Sequence, residues 1–217
     1  MTQHREPFLG WPGWDHLRDF VILLLAQTLW FALIFDGADR LTALRTFRVA
    51  VHFEAELQLP LVPEMLVFYM SIYLLFLIAP FVLRTRAQLR ALAVTLAAVT
   101  FCGGICFLLL PAELAYPPAP RDLGKWSDLF RFADWLNLEH NLLPSLHVAL
   151  SVVCVAVFSG HASTIGKTIL WSWAVAVSVS TVLTHQHHIS DVITGFILGM
   201  LASRLVYEQL GPYEPEA

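Results

Sequence analysis

The sequence predicts an all-α polytopic membrane protein, a bundle of six transmembrane helices. Three observations carry this. Of 217 residues, 57% are hydrophobic and 14% charged, where soluble domains carry about 25% charged residues. The apolar residues gather into runs near the ~20 residues that cross a bilayer. No run alternates with period two, as the strands of a membrane barrel would.

The six segments are approximately 18–36, 62–83, 88–111, 143–160, 167–184 and 189–207. The fourth and fifth are the shortest and carry Ser, Thr and Cys, so they are expected to face helical neighbours rather than lipid. The N-terminal stretch MTQHREPFLGWPGWDHLRD has no short apolar core with a cleavage site and does not read as a signal peptide. Between about 37 and 60, three Arg and two Glu interrupt apolar residues, a pattern that suits a partly amphipathic interfacial helix. Residues 112–142 show no periodicity and are expected to form a loop. The chain reads as a single integral membrane domain, 1–217.

Loop cations set the orientation. Arg5, Arg18, Arg84, Arg86, Arg90, Lys167 and Arg204 fall on one side, and Arg40, Arg45, Arg48, Arg121, Lys125 and Arg131 on the other. The short connector with Arg84 and Arg86 carries most of the signal and places that side in the cytoplasm. The loops before Pro144 and around His187 then face outward, which suggests a plasma-membrane protein with an extracytoplasmic site. The net charge of −4 gives no support for nucleic-acid binding. Cys102, Cys106 and Cys154 read as packing residues, neither a disulfide framework nor a zinc site. The Trp residues suit membrane-interface anchors.

Two polar clusters carry the chemistry. Residues four apart share a helix face, so in THQHHISDVITG (184–195) the order His187, Asp191, Gly195, Gly199, Ser203 forms one stripe. Its small residues admit a neighbouring helix, and Asp191 can hold and orient the His187 imidazole. A structural His–Asp pair between two helices is an equal reading of this motif alone. The second cluster is HNLLPSLHVALS (140–151). Pro144 suits a first helical turn, which would leave the N–H groups of Ser145, Leu146 and His147 free to bind phosphate at a helix N-terminus. His147 can exchange a proton near neutral pH. Together the clusters suit phosphoryl transfer by a histidine nucleophile with a second imidazole as acid, and no metal or other cofactor is called for. His185 and His188 point to other faces. A metal site at His185–His188 would need further ligands that the chain does not visibly supply.

PSLH at 144–147, followed about 40 residues later by STVLTHQHHISD at 180–191, resembles the type-2 phosphatidic acid phosphatase superfamily, closest to the inositol phosphorylceramide synthase-like branch, over about residues 50–207. The resemblance implies a lipid phosphatase/phosphotransferase core with His187 as nucleophile, Asp191 as its partner, His147 as general acid and Ser145 as a phosphate ligand. Two departures stand out. The superfamily's phosphatases usually carry Ser-Arg seven and six residues before the nucleophile; here those positions are Ser180 and Thr181. Their Lys-and-Arg-Pro motif is absent from PAELAYPPAPRDLGK, where Arg121 and Lys125 are the nearest basic candidates. The expected activity is hydrolysis of a lipid-linked phosphate ester, with a phospholipid, sphingolipid or polyprenyl phosphate as substrate. Transfer of a phosphorylated headgroup to a lipid alcohol, as in inositol phosphorylceramide or sphingomyelin synthases, stays open, as does an inactive lipid-binding scaffold.

Overall fold

The computed structural model describes residues 7–120 and 122–211, apart from the side chain of Asn137. It is helical throughout, and among the described residues the only β pairing is an isolated bridge between Val49 and Ala112. The helices are α1 (Trp14–Ala43), α2 (Leu66–Met70), α3 (Ile72–Val82), α4 (Arg86–Leu109), α5 (Ser127–Asn137), α6 (Leu146–Ser159), α7 (Thr164–Leu183), α8 (Ile189–Ala202) and α9 (Glu208–Leu210). A π turn, Ser203–Tyr207, joins the last two.

Among the described residues five stretches are long and apolar enough to cross a membrane: Trp14–Ala43, Pro63–Val82, Arg86–Leu109, Thr164–Leu183 and Ile189–Leu210. The expected sixth, α6, has 14 residues, about 21 Å of helix against a hydrocarbon core of ~30 Å. Its burial supplies the physical reason. Leu146, Val148 to Cys154 and Val155 all lie in the interior, together with Val157 and Phe158, so α6 meets α3, α4, α7 and α8 on its several sides. A helix enclosed by protein need not match the lipid thickness. By contrast α1 presents Leu25, Leu29 and Leu33 outward, as a lipid-facing helix does.

Local chemistry sets several boundaries. Thr85 and Gln88 form a reciprocal cap at the start of α4: Thr85 Oγ1 accepts from Gln88 N–H at 3.1 Å, and Gln88 Oε1 accepts from Thr85 N–H at 3.1 Å. The second span is broken at Ser71, whose hydroxyl donates to the Phe68 carbonyl and accepts from Trp173 Nε1 of α7 at 2.7 Å. Residues 44–62, expected to lie as an amphipathic helix, instead form extended chain and one 3-10 turn, Glu54–Gln58. They pass over the site end of the bundle, where Val49 N–H donates to Pro111 and Val62 N–H to Leu183. The expected loop 112–142 contains α5, an amphipathic helix. It buries Phe130 and Ala133 against Leu66 and Tyr69 and leaves Phe132 and Trp135 outside.

The stripe of small residues on α8 admits a neighbouring helix as expected, and that helix is α6. A Cβ on Gly195 would lie 2.5 Å from the Ser145 carbonyl oxygen, and one on Gly199 would lie 2.6 Å from that of Ala149. Both neighbours are backbone and have little room to yield. Gly195→Ala is therefore expected to destabilise the protein by about 1–3 kcal/mol, as overpacking does, read as a lower midpoint of thermal unfolding in detergent. Gly37→Ala, where nothing lies within 4 Å, is the matched control and should leave that midpoint unchanged or slightly raised.

Candidate active site

The connection between α7 and α8 is a tight turn in which successive side chains are tied to different parts of the molecule. The N–H groups of Gln186 and His187 both donate to the Thr181 carbonyl, at 3.0 and 3.1 Å. His185 takes a left-handed φ of 56°, uncommon for a residue with a Cβ, and its Nε2 lies 3.0 Å from the Leu59 carbonyl. Gln186 Nε2 donates to Asp134 Oδ1 of α5 at 2.7 Å. His187 turns its Nδ1 toward Asp191 Oδ2 at 3.4 Å. His188 accepts the Ala115 N–H on Nε2 at 3.1 Å, while its Nδ1 makes a close, bent contact of 3.0 Å with Glu56 Oε1.

Asp191 is fully buried in the first turn of α8. Its Oδ2 accepts the His188 N–H at 2.8 Å as well as facing His187, and a carboxylate there is favoured by the helix dipole. With Nδ1 of His187 directed at this carboxylate, Nε2 is the nitrogen left for chemistry. The Asp191 backbone carbonyl accepts the Ser145 N–H at 3.0 Å. That bond differs from the expectation that Ser145 N–H is free for phosphate. Ser145 caps α6, its hydroxyl accepting from Val148 N–H at 3.4 Å, so Pro144 precedes the cap rather than occupying the first turn. Among the described residues no protein acceptor takes the N–H of Leu146 or His147.

His147 stacks on Tyr69 with ring centroids 4.0 Å apart, and its buried Nε2 has no protein partner. His147, His187 and Leu146 line one cavity of about 360 Å³, whose remaining wall is almost wholly apolar. Ser145, Leu146, His147, His187 and Asp191 are thus brought together. Ser180 is not: it is buried in α7, donates to the Val177 carbonyl and lies outside the cavity wall. Lys125 is exposed, with its ammonium over the Trp126 ring, in a 3-10 turn, Gly124–Trp126, that leads into α5. Arg121 lies outside the described residues. Thr181 donates its hydroxyl to the Ser178 carbonyl. No Arg or Lys among the described residues lines the cavity.

Sequence reasoning missed Glu56, Tyr69, Tyr116 and Asn141. Glu56 is a buried carboxylate that accepts from Phe53 N–H at 2.9 Å and from Ile189 N–H at 2.7 Å, so it caps α8 from a distant segment. A carboxylate set within the apolar run HFEAELQLPLVP was the available signal, since a buried charge requires partners. Tyr116 stacks on both His185 and His188, at 4.1 and 4.8 Å. Burial pushes the Tyr116 hydroxyl upward, assisted by Glu56 and Asp191. Burial likewise lowers His188, against the pull of Asp191 and Glu56, and lowers His185 against its bond to Leu59. With Nε2 of His188 accepting, the neutral ring carries its proton on Nδ1, facing Glu56. No three His, Cys, Asp or Glu side chains among the described residues converge as a metal-ligand set.

Residues 114–213 match the PAP2 superfamily, a span that holds the whole His147–His187–Asp191 constellation. The match supports a phosphatase- or phosphotransferase-type activity, and with the apolar helices it suggests an integral membrane protein. No solved structure matches the chain.

Two outcomes are expected of the support beneath the turn. Glu56→Gln leaves one acceptor oxygen for two N–H donors and sets an amide N–H₂ against one of them, so it should cost about 1–3 kcal/mol, measured by chemical or thermal denaturation in detergent. His185 and His188 protonate less readily folded than unfolded, where the imidazole value is about 6.5. The unfolded chain therefore takes up their protons first as pH falls. Their stabilising contribution is complete above about pH 6.5 and drains below it. Thermal midpoints should fall as pH drops from 7.5 toward 5, and His188→Gln should flatten the slope.

Proposed function

We propose that this protein hydrolyses a lipid-linked phosphate ester on the extracytoplasmic face of the plasma membrane, through a phosphohistidine at His187. The observation that carries the reading is the convergence of two imidazoles, His187 backed by Asp191 and His147 with a partnerless Nε2, at one apolar cavity.

In this reading the Nε2 lone pair of His187 attacks phosphorus, and the bond from phosphorus to the lipid oxygen breaks. His147, whose buried ring is held neutral in the free protein, takes up a proton as the phosphate anion arrives and gives its Nε2 proton to the departing oxygen, so the lipid leaves as an alcohol. Asp191 holds the Nδ1 proton of His187 and offsets the positive charge that the ring gains. The N–H groups of Leu146 and His147 and the dipole of α6 take up charge on the non-bridging oxygens. In the second half neutral His147 accepts a proton from water, whose oxygen attacks phosphorus as the P–N bond breaks. Phosphate leaves and both histidines return to their starting states.

One observation favours a second reading, transfer of a phosphorylated headgroup to a lipid alcohol. The Arg of the phosphatases is replaced by Thr181, and Lys125 is remote. A site without a fixed cation among its described lining residues suits a phosphodiester, which carries one negative charge, better than a dianionic monoester. The chemistry is the same except that an alcohol replaces water.

The test is release of inorganic phosphate from phosphatidic acid and polyprenyl phosphates by protein in nanodiscs. His187→Ala should fall to background, and His147→Gln should lose about 10²–10⁴-fold in kcat. Phosphate release that survives His187→Ala would overturn the assignment of the nucleophile. Product formed only when both a phosphodiester donor and a lipid alcohol are supplied would establish transfer. Lipid binding without turnover of either kind would leave a scaffold.

A further inference from the structure

The two histidines of the site are held in different ways. His187 has a carboxylate behind it, with Asp191 Oδ2 at 3.4 Å from its Nδ1. Among the described residues the His147 ring is held by no side-chain hydrogen bond. It lies face to face with Tyr69, the ring centroids 4.0 Å apart and the planes 19° from parallel. Tyr69 is itself fixed from two sides. It is buried and packs with Leu66 of its own short helix and with Phe130 and Ala133 of α5. Two residues on, Ser71 accepts from Trp173 Nε1 at 2.7 Å, which ties this end of α2 to α7. Tyr69 is not part of the cavity wall that His147 and His187 share, so it meets the imidazole and not a ligand in the cavity.

The proposed reaction requires His147 to carry a positive charge as the lipid oxygen departs, and most of its surroundings oppose that charge. Burial disfavours an imidazolium, and the nearby His187 adds repulsion. Among the described residues no carboxylate lines the cavity. Its other titratable members are His187 and Tyr73, while α1 and α4 bring none. Asp191 is directed to His187 and to the His188 N–H, and Glu56 to the N–H groups of Phe53 and Ile189. The face of an aromatic ring is the negative side of its quadrupole. A cation within about 6 Å of the ring centroid is attracted to it, most strongly where water is excluded. At 4.0 Å the Tyr69 face meets that condition.

We infer that Tyr69 is a positioning residue for the general acid: its ring sets the plane of the His147 imidazole and supports the imidazolium that protonates the leaving oxygen. This role rests on the proposed phosphoryl chemistry at His187 and His147. Tyr69 lies outside the matched span 114–213, so the family match carries nothing about it. The Nε2 proton of His147 goes to the ester oxygen as the bond from that oxygen to phosphorus breaks. The ring returns to neutral on the same stack, and Tyr69 exchanges no proton.

A role exercised through the acid has a signature that a folding defect lacks. Benzyl phosphate releases an alkoxide that must be protonated, whereas 4-nitrophenyl phosphate releases a nitrophenolate that leaves without a proton. The experiment measures kcat/KM for both esters in nanodiscs, a quantity that covers the steps up to release of the leaving group. Tyr69→Leu is expected to lower the value for benzyl phosphate about tenfold and to leave that for 4-nitrophenyl phosphate nearly unchanged. His147→Gln should show the same selectivity more strongly. Tyr69→Phe, which keeps a ring face, should restore turnover of benzyl phosphate. The ratio of the two esters within one preparation cancels any loss of folded protein. Tyr69→Met, which fills the space with a flexible apolar chain, should behave as Tyr69→Leu and guards against a defect peculiar to either.

Equal loss for both esters in Tyr69→Leu and Tyr69→Met would make Tyr69 structural and overturn the inference, as would an unaltered ratio. Where neither ester is turned over, the stack is judged without turnover, by 15N spectra of histidine-labelled protein in inorganic phosphate, with His147→Gln assigning the signal. A His147 midpoint lower by about one pH unit in Tyr69→Leu, the same tenfold, would sustain the supported imidazolium. An unchanged midpoint would reject it. Failure with the lipid phosphates as well is what sinks the proposed reaction.

Discussion

The first turn of α8 meets the cap of α6 through one short bridge, the Ser145 N–H donating to the Asp191 carbonyl, and the geometry around it depends on how closely the two helices approach. Gly195 and Gly199 permit that approach, since a side chain at either would press on the backbone of α6. Because Asp191 also faces His187 and accepts the His188 N–H, the same residue sets the position of the imidazole in one motif and of the helix terminus in the other. Two motifs 40 residues apart are thereby held as one unit.

A polar unit of this kind in the interior of a membrane bundle requires partners for each group. The protein supplies them from segments that read as unremarkable connections. Glu56 caps α8 from the 3-10 turn after α1, and Ala115 serves His188 from the chain after α4. Asp134 holds Gln186 from α5. Among the groups left without protein partners, His147 Nε2 and the N–H groups of Leu146 and His147 lie together at the start of α6, where His147 and Leu146 line the apolar cavity.

The site is poor in fixed charge. Its described lining holds imidazoles and a helix terminus rather than guanidinium groups, and Asp191 adds a buried negative charge behind His187. In the proposed reaction, charge on the phosphate is met by backbone donors at the start of α6 and by histidine.

The sequence by itself determined the helical class, the polar stripe of α8 and the pairing of His187 with Asp191, because each follows from spacing along one helix or adjacent to it. Hydropathy also located every apolar segment. Hydropathy did not reveal that α6 is a short enclosed helix rather than a full span, since apolar residues serve lipid and protein interiors alike. α5 was equally hidden, its few apolar positions being too short a pattern to stand out in a long connection. Only the tertiary structure decided which distant groups close the site. Glu56, Tyr69, Tyr116 and Asn141 act through space, with no periodic relation to the motifs, and Ser180 and Lys125 are turned away by local hydrogen bonding and exposure. Spacing along a helix is a local property that the chain carries in its order of residues. The meeting of remote segments depends on how whole helices pack, and that is set by the sum of many contacts.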